Sequence, residues 1–269
     1  STSRSEGSPY TYGIPFFFMK RTHFVQEIEW LLREKYKGVW DAKTDRDVRR
    51  LLRGEPVDYV IGWMPFLGCR IDLSKRPLIP RPETEYWTER AIEHMRARSG
   101  TSLRVLDLFS GSGAIGVAVA NHLPRAQVDF GELSTRIHST ILQNVRMNGI
   151  HPTHARVIKT NIFSHIKGTY DYILANPPYL ARTRTHRVAP SVRKYEPAVA
   201  LWGGKDGLAI VLRFLKEAPT HLAPRGELWM EFDSHQKPSV AKLLKRFGYA
   251  SFSFHKDQFG KWRYCVAQK

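Results

Sequence analysis

The chain has 269 residues, a formal net charge of +17 and two cysteines. This length accommodates one large or two modest domains whose core needs no disulfide bonds. Cys69 and Cys265 lie far apart in the sequence and lack metal-ligand spacing, so we expect neither a disulfide-rich secreted protein nor a metal site. The longest apolar stretches are too short to cross a bilayer, and we expect no membrane partner.

The first 56 residues divide into a polar segment and a helical region. Residues 1–15 are rich in Ser, Gly and Pro, and we expect them to be flexible. Beyond them Phe24, Ile28 and Leu31 recur at the spacing of one helix face. Residues 16–56 are therefore predicted to form a small domain of two or three short helices.

Residues 57–82 are predicted to form a β-hairpin linker. Apolar and polar residues alternate at 59–63 and 66–73, with Pro65 and Gly68 as breakers. Prolines at 77, 80 and 82 then make a stiff connection to a helix over residues 84–98. The catalytic domain is predicted to span residues 83–269.

After residue 101, apolar strands alternate with helices. This alternation predicts an α/β fold with a mainly parallel, doubly wound sheet. Two consecutive strands close the chain around the turn Gln258-Phe259-Gly260 and predict a terminal antiparallel hairpin. The predicted strands are 103–108, 127–132, 155–161, 170–176, 226–233, 249–256 and 262–268, and the predicted helices are 113–122, 134–147, 207–219 and 238–246.

A glycine-rich loop, Phe109-Ser110-Gly111-Ser112-Gly113, joins the first of these strands to a helix. Such glycines let a ligand approach the backbone, although a packing role is an equal alternative. The loop lacks the patterns of NAD or ATP sites. Glu132 ends the next strand, where a carboxylate can bind both hydroxyls of a ribose.

The motif Asn176-Pro177-Pro178-Tyr179 follows a buried apolar strand. The prolines end the strand and leave Asn176 at its carboxyl edge, where open α/β sheets bind ligands. The Asn176 side chain and the Pro177 carbonyl can accept hydrogen bonds from a planar NH2 group, while Tyr179 stacks on its face. Taken alone the tetrapeptide is equally compatible with a strand-ending turn. Together with the glycine-rich loop and Glu132, it predicts an S-adenosylmethionine enzyme with an amine-bearing substrate.

Most of the excess basic charge lies after residue 100. A local cluster directly follows the Asn-Pro-Pro-Tyr motif, and no acidic residue occurs in it before Glu196. The cluster is either a solvated loop or a rim that attracts an acidic or RNA-associated protein partner. Its members are Arg182, Arg184, Arg187, Arg193 and Lys194.

The combination of motifs resembles the HemK (PrmC) family of protein-glutamine N5-methyltransferases, from about residue 50 onward. The blocks most specific to that family flank the glycine-rich loop, Glu132 and the Asn-Pro-Pro-Tyr motif. They are Leu78-Ile79-Pro80-Arg81-Pro82-Glu83-Thr84-Glu85, Tyr195-Glu196-Pro197, Gly203-Gly204 and Asp206-Gly207.

The resemblance implies a class I, Rossmann-like methyltransferase with a seven-stranded sheet and S-adenosylmethionine as cofactor. It implies a helical amino-terminal domain that helps to grip a class I peptide chain release factor, the substrate. The implied catalytic residues are Asn176, Pro177 and Tyr179. The implied substrate contacts are these three with Pro178 and Glu196. For Glu196 a structural role is an equal alternative. The implied cofactor contacts are Asp107, Phe109, Ser110, Gly111, Ser112, Gly113, Glu132, Asn161, Ile162 and Asn176.

The chain departs from the family pattern at three of these positions. Phe109 replaces the first loop glycine and predicts a bulkier wall of the cofactor pocket. Asn161 replaces an aspartate that faces the adenine, and Ile162 replaces a common aromatic residue. These departures bear on cofactor affinity and individual contacts, and they leave the reaction class unchanged.

The predicted function is methylation of the glutamine side-chain amide in the Gly-Gly-Gln loop of a release factor. Two alternatives remain: a nucleic-acid adenine N6 methyltransferase, and a non-catalytic module that binds ribosome or RNA. A high isoelectric point is common in mitochondrial matrix proteins, so we expect this location, or the cytoplasm if the protein is bacterial. We also expect a monomer.

Overall fold

The structure is a computed structural model that describes residues 16–98 and 102–269, with side chains from residue 23 onward. The predicted flexible segment 1–15 lies outside the described residues. Helix α1 (Phe16–Leu31) continues into a π-helical turn (Leu32–Tyr36), and α2 (Ala42–Leu52) and α3 (Val57–Ile61) follow. Asp41 caps α2 by accepting hydrogen bonds from the backbone N–H groups of Lys43 and Thr44. These helices enclose a small apolar core of Leu31, Leu51, Val57, Val60 and Ile61.

The helical region is tied to the rest of the chain by polar contacts. The carboxylate of Glu55 accepts hydrogen bonds from Arg50 at 2.7 Å and from Arg76 at 2.6 Å. The Tyr195 hydroxyl donates to the Arg53 carbonyl at 3.0 Å. The helices therefore lie beside the segment that follows the Asn-Pro-Pro-Tyr motif.

A two-stranded antiparallel hairpin follows, made of β1 (Trp63–Phe66) and β2 (Cys69–Asp72). Its turn residues Leu67 and Gly68 both adopt left-handed φ angles, 46° and 77°, as a two-residue hairpin turn requires. The predicted hairpin strand at 59–63 was wrong for residues 59–61, which belong to α3. Tyr59, Val60 and Ile61 are all buried, so their pattern does not separate a strand from one turn of helix.

The main sheet contains β3 (Arg104–Leu108), β4 (Gln127–Glu132), β5 (Ala155–Lys159), β6 (Tyr170–Ala175), β7 (Leu222–Glu231), β8 (Ser251–Lys256) and β9 (Trp262–Gln268). The strand order is β5-β4-β3-β6-β7-β9-β8. The first five strands are parallel, and β9 runs antiparallel to both of its neighbours. The predicted doubly wound sheet with a terminal antiparallel hairpin is confirmed.

Helices cover both faces of this sheet. One buried cluster includes Trp87, Val117 and Phe130, and the other includes Ile173, Phe214 and Val240. The sequence analysis missed α7 and α8, two short helices between β6 and β7. The helices after β2 are α4 (Pro82–Ala97), α5 (Ala114–His122), α6 (Thr135–Met147), α7 (Pro190–Tyr195), α8 (Ala198–Leu201), α9 (Ala209–Glu217) and α10 (Lys237–Arg246).

The strand register aligns the site residues at one edge of the sheet. Leu108 pairs with Gly131 on β4 and with Ala175 on β6, and Ala175 pairs with Met230 on β7. The next residue in each strand therefore lies at the same carboxyl edge. These residues are Glu132, Phe109, Asn176 and Glu231. The strand order changes direction between β3 and β6, which is the usual ligand-binding position in such sheets.

Candidate active site

The glycine-rich loop is held by hydrogen bonds at the end of β3. The Ser110 hydroxyl donates to the Asp107 carbonyl at 2.7 Å and lies 3.2 Å from the Gly131 carbonyl. Gly113 has a φ of 79°, which strains any residue with a side chain. A Cβ at Gly116, the first-turn glycine of α5, would overlap Phe130. The glycines thus serve both the open loop and the packing of α5 on the sheet.

Asp107 is fully buried beneath this loop. Its Oδ2 accepts a hydrogen bond from the Gly116 N–H at 2.9 Å, while Oδ1 has no hydrogen-bond partner among the described residues. Burial is the main cause that raises the pKa of Asp107 to about 7; the Gly116 hydrogen bond lowers the pKa and the charge of Glu132 adds to the rise. An unpartnered carboxylate oxygen at this place suits a cationic ligand group.

Glu132 faces the same loop from β4. Its Oε2 accepts a hydrogen bond from the Gly111 N–H at 2.9 Å, and its Oε1 accepts one from the Ser134 N–H at 2.8 Å. A carboxylate has about four lone-pair positions, so each oxygen retains capacity for a further donor. The side chain is thus oriented by the backbone and still able to accept from two ribose hydroxyls.

Phe109 adopts a φ of 63°, a left-handed conformation that favours glycine. Its ring packs edge-on against Phe214, with ring centroids 5.6 Å apart. The ring thus has a partner in the core, which the prediction of a bulkier cofactor wall did not foresee.

Asn161 and Ile162 follow β5 next to the Glu132 strand. Asn161 is exposed, and its backbone N–H donates to the Ser164 hydroxyl at 3.0 Å. Ile162 is buried with a φ of 58°, which is rare for a β-branched residue. The Thr160 hydroxyl stabilises this conformation by donating to the Ile162 carbonyl at 2.8 Å. Asn161 therefore has an accessible side chain on a fixed backbone.

Asn176 lines an open cleft with an empty volume of about 510 Å³. Its Nδ2 donates a hydrogen bond to the Thr84 hydroxyl at 3.2 Å. The cleft walls are mainly apolar apart from Asn176, Tyr179 and Arg81. The other lining residues are Leu78, Pro177, Leu180, Val192, Ala200 and Leu201.

Tyr179 lines the same cleft and is fixed at both ends. Its hydroxyl donates to Glu231 Oε1 at 2.8 Å, and its carbonyl accepts from the Gln236 side chain at 3.0 Å. Burial, with the nearby charge of Glu231, holds the pKa of Tyr179 well above its usual value. The phenol therefore stays protonated and its ring stays in one orientation.

Glycines after α8 pack against the back of the Asn-Pro-Pro-Tyr motif. A Cβ at Gly203 would overlap the Pro178 carbonyl, and one at Gly207 would overlap the Tyr179 carbonyl. The Gly-Gly and Asp-Gly pairs are among the blocks that carry the family resemblance. The structure shows that they allow the chain to support the motif closely.

Glu196, a predicted substrate contact with a structural role as the alternative, lies inside the protein. Its carboxylate is buried, with Oε1 accepting from Arg81 at 2.6 Å and Oε2 accepting from the Ile79 N–H at 3.2 Å. Both oxygens are thus engaged within the protein. Glu196 instead orients Arg81, and it is Arg81 that lines the cleft.

The sequence analysis missed Glu231 and the role of Thr84. Glu231 is 1 % exposed, and its carboxylate accepts hydrogen bonds from Thr84, Trp87 and Tyr179. Thr84 lies in a family block, but no local pattern links it to a strand end 147 residues later. Only the folded chain brings them together.

Within residues 16–98 and 102–269, no group of three or more His, Cys, Asp or Glu side chains is arranged to hold a metal ion. In the same part of the chain, no helix combines the length and apolar character needed to cross a membrane.

Comparison with known proteins supports this geometry. Residues 86–192 match the methyltransferase small domain family. The chain is 30% identical to a release factor glutamine methyltransferase from Lactococcus lactis, over 92% of this chain and 90% of the relative. It is 35% identical to one from Bordetella pertussis, over 78% and 77%. It is also 36% identical to a 4-amino-L-phenylalanine/4-methylamino-L-phenylalanine methyltransferase from Streptomyces pristinaespiralis, over 75% and 69%.

Solved structures agree on the fold. A methyltransferase from Pyrococcus furiosus superposes with a TM-score of 0.55 at 19% identity, over 83% of this chain and 97% of its own. Human methyltransferase 10 domain containing protein superposes with a TM-score of 0.52 at 17% identity, over 76% and 90%. The sheet, the glycine-rich loop and the Asn176 edge therefore define a class I methyltransferase.

S-adenosylmethionine is the methyl donor of this class, and the residues present fit it, since Asp107 offers an unpartnered buried oxygen and Glu132 retains acceptor capacity. Within the class, the extent of its similarity to the bacterial proteins shows that the chain belongs to the release factor glutamine methyltransferase family.

Proposed function

We propose that this protein methylates the side-chain amide nitrogen of the glutamine in the Gly-Gly-Gln loop of a class I peptide chain release factor. The observation that carries the proposal is the position of Asn176. It lies at the carboxyl edge of β6, at the point where the strand order reverses, and it faces an open cleft. Family membership supports the same substrate class.

The cleft supplies what a primary amide needs. An amide nitrogen lends its lone pair to its own carbonyl group and is a poor nucleophile. If the Asn176 side chain and the Pro177 carbonyl accept its two N–H bonds, the nitrogen is oriented and charge developing on it is stabilised. Such positioning contributes about 7–11 kcal/mol in well-oriented systems. The Tyr179 ring, held by Glu231, covers the amide plane.

The methyl donor is proposed to bind at the carboxyl ends of β3, β4 and β5. Bound S-adenosylmethionine supplies a methyl group on a sulfonium. We propose that Asp107 binds its ammonium group and that Glu132 binds its ribose. The residues of the glycine-rich loop, from Phe109 to Gly113, provide the open backbone beside it. Asn161 and Ile162 lie at the end of β5, next to the Glu132 strand, and we assign them to the adenine side.

The basic cluster after the motif suits a partner with negative charge. Its five side chains are exposed and have no carboxylate within 4.0 Å among the described residues. They lie in the same stretch of chain, between β6 and β7, that contributes Val192, Ala200 and Leu201 to the cleft. We propose that this rim attracts the release factor, or RNA near it, toward the site. The helical region 16–56 is proposed to grip the same partner.

We also propose a cellular location and an oligomeric state for the protein. The net charge of +17 supports a mitochondrial matrix location, or the cytoplasm of a bacterium, and we propose a monomer. Cell fractionation tests the location, and light scattering of the purified protein tests the monomeric state. A membrane fraction or a stable dimer would contradict them.

A methyl-transfer assay tests the function directly. The purified protein is incubated with radiolabelled S-adenosylmethionine and a class I release factor, either unmodified or with the loop glutamine changed to alanine. We expect label only in the unmodified factor. Equal labelling of the alanine variant would refute the glutamine assignment.

The same assay separates the alternatives. Labelling of DNA or RNA in place of the release factor would indicate an adenine methyltransferase. Labelling of 4-amino-L-phenylalanine would indicate an aromatic-amine substrate, the kind named for the Streptomyces pristinaespiralis relative. Failure to bind the cofactor in calorimetry would indicate a non-catalytic module.

A further inference from the structure

We infer that Thr84 and Glu231 are positioning residues for the transfer, because together they fix the Asn176 amide with its oxygen, and not its NH2 group, directed at the acceptor. The inference rests on the proposed function in one respect only: the acceptor presents N–H bonds to Asn176. It assigns a task to a buried carboxylate that touches neither the cofactor loop nor the open cleft.

The Glu231 carboxylate accepts hydrogen bonds from three side chains. Its Oε2 lies 2.6 Å from the Thr84 hydroxyl and 2.8 Å from Trp87 Nε1, and its Oε1 lies 2.8 Å from the Tyr179 hydroxyl. An indole N–H can only donate, and an ionised carboxylate can only accept. Glu231 is therefore a buried acceptor for three donors that come from α4 and from the Asn-Pro-Pro-Tyr motif.

The hydrogen of the Thr84 hydroxyl is then committed. A hydroxyl has one hydrogen, and at 2.6 Å from a buried carboxylate oxygen that hydrogen points to Glu231. The Thr84 oxygen can offer only its lone pairs to Asn176, 3.2 Å away. The Asn176 group that faces Thr84 must therefore be Nδ2, because Oδ1 in that place would set two acceptors against each other.

This fixes the other half of the Asn176 amide. The two ends of an asparagine side chain are alike in shape, so its orientation depends on its partners. With Nδ2 on Thr84, Oδ1 is directed away from Thr84 and remains free to accept from an N–H of the acceptor. A reversed amide would meet the acceptor NH2 with an NH2 of its own.

The same carboxylate also acts on Tyr179. One oxygen orients Asn176 through Thr84, and the other holds the Tyr179 hydroxyl. Two cleft residues are thereby oriented by a single group at the end of β7. The contacts join residues 84, 179 and 231, which belong to three separate elements of the chain.

The test compares side chains of matched size. Thr84→Val removes the hydroxyl and keeps the shape, and Thr84→Ser keeps the hydroxyl. In Glu231→Gln, the Trp87 N–H, which can only donate, keeps the amide oxygen at the Oε2 position, so this variant still accepts from Thr84 and should hold Asn176 as wild type does. Thr88→Val is the control, since Thr88 is a buried threonine one turn later on α4 whose hydroxyl donates to the Thr84 carbonyl.

We expect kcat of Thr84→Val to fall about tenfold to a hundredfold, the usual effect of losing one oriented polar group, and kcat of Glu231→Gln to stay within a few-fold of wild type. The dissociation constant for S-adenosylmethionine should change less than threefold, because neither residue contacts the donor loop. Thr84→Ser should recover most of the wild-type kcat, and Thr88→Val should resemble wild type.

Three results would overturn the inference: Thr84→Val with wild-type kcat, Thr84→Ser as impaired as Thr84→Val, or Thr88→Val equally impaired. If Thr84→Val does not fold, Thr84→Ala, which also lacks the hydroxyl, decides the question by the same split between kcat and cofactor binding. If wild type methylates an aromatic or nucleobase amine instead of the release factor, the proposed function fails. The same variants then test the inference on that amine, which also presents an NH2 group.

Discussion

The side-chain NH2 group of Asn144 donates to the Ser112 carbonyl at 2.9 Å, and so ties α6 to the glycine-rich loop. The other end of the same amide accepts from the Asp72 N–H at 2.7 Å, on β2 of the hairpin. One turn later Asn148 makes a similar pair of bonds with the backbone of Arg70. Two asparagines on one helix face thus bind the edge of β2, but only Asn144 reaches the donor loop.

We therefore predict different effects for Asn144→Ala and Asn148→Ala. The first leaves a buried carbonyl and a loop without support, so it should lower the free energy of unfolding by about 1–3 kcal/mol and weaken cofactor binding. Asn148→Ala should lower stability less and leave cofactor affinity within twofold. Denaturant unfolding and calorimetry measure both quantities. Equal cofactor affinity in the two variants would contradict the assigned contact.

Asn176→Ala should lose turnover by about a hundredfold or more, since it removes an acceptor aimed at the reacting nitrogen. Cofactor affinity should stay within a few-fold of wild type, because Asp107 and Glu132 lie on other strands. Single-turnover assays and calorimetry separate the two effects. Near-normal turnover would be incompatible with the mechanism.

Asp107 predicts a pH effect on the cofactor-free protein. Burial raises its folded-state pKa from 3.8 to about 7, so its contribution to stability is fully present below pH 3.8 and is lost as the pH rises through 7. Between pH 5 and pH 8 wild type should lose roughly 2–3 kcal/mol that Asp107→Asn does not lose. Urea unfolding of both proteins at each pH measures the difference. Parallel pH profiles would contradict the assignment to Asp107.

At Phe109 we predict that the glycine variant is more stable than the alanine variant, the reverse of the usual order. Alanine usually stabilises a loop relative to glycine, but Phe109 has a φ of 63°. Both variants lose the ring contact with Phe214, whereas only glycine relieves the backbone strain. Phe109→Gly should therefore be more stable than Phe109→Ala by about 1 kcal/mol. Thermal unfolding checks the order, and a more stable alanine variant would refute the strain.

The basic rim predicts an effect that depends on salt. The double variant Arg184→Glu with Arg187→Glu should raise KM for the release factor several-fold at low salt and leave kcat unchanged. The difference should shrink as added salt screens the charges. Lys242→Glu with Lys245→Glu, on exposed positions of α10, is the control with the same change of net charge. A similar change of KM in the control would show a general charge effect.

The parts of the fold that sequence reasoning recovered are those with a strong local signal. The central parallel strands β3 and β6 are largely buried and appear as short apolar runs, as in the segment Tyr170–Ala175. The six-residue α7 and the four-residue α8 were missed, because helices of this length depend on tertiary contacts more than on periodicity.

The site was recovered unevenly for the same reason. Asn176 and Glu132 are placed by strand ends, which the sequence marks clearly. Glu196 carries no local sign that Arg81 and the Ile79 N–H occupy its carboxylate, because those partners are more than 100 residues away. Thr84 and Glu231 are even farther apart in the sequence, by 147 residues, and no local pattern indicates their contact.

The border between β3 and β6 has an evolutionary consequence. On one side lie the strand ends assigned to the nucleoside, and on the other lies the cleft, whose wall comes largely from the chain between β6 and β7. The strand ends that bind the cofactor and the cleft wall that binds the acceptor can thus change independently during evolution. A lineage that remodels residues 180–201 can acquire a new acceptor while it retains the ancestral donor chemistry.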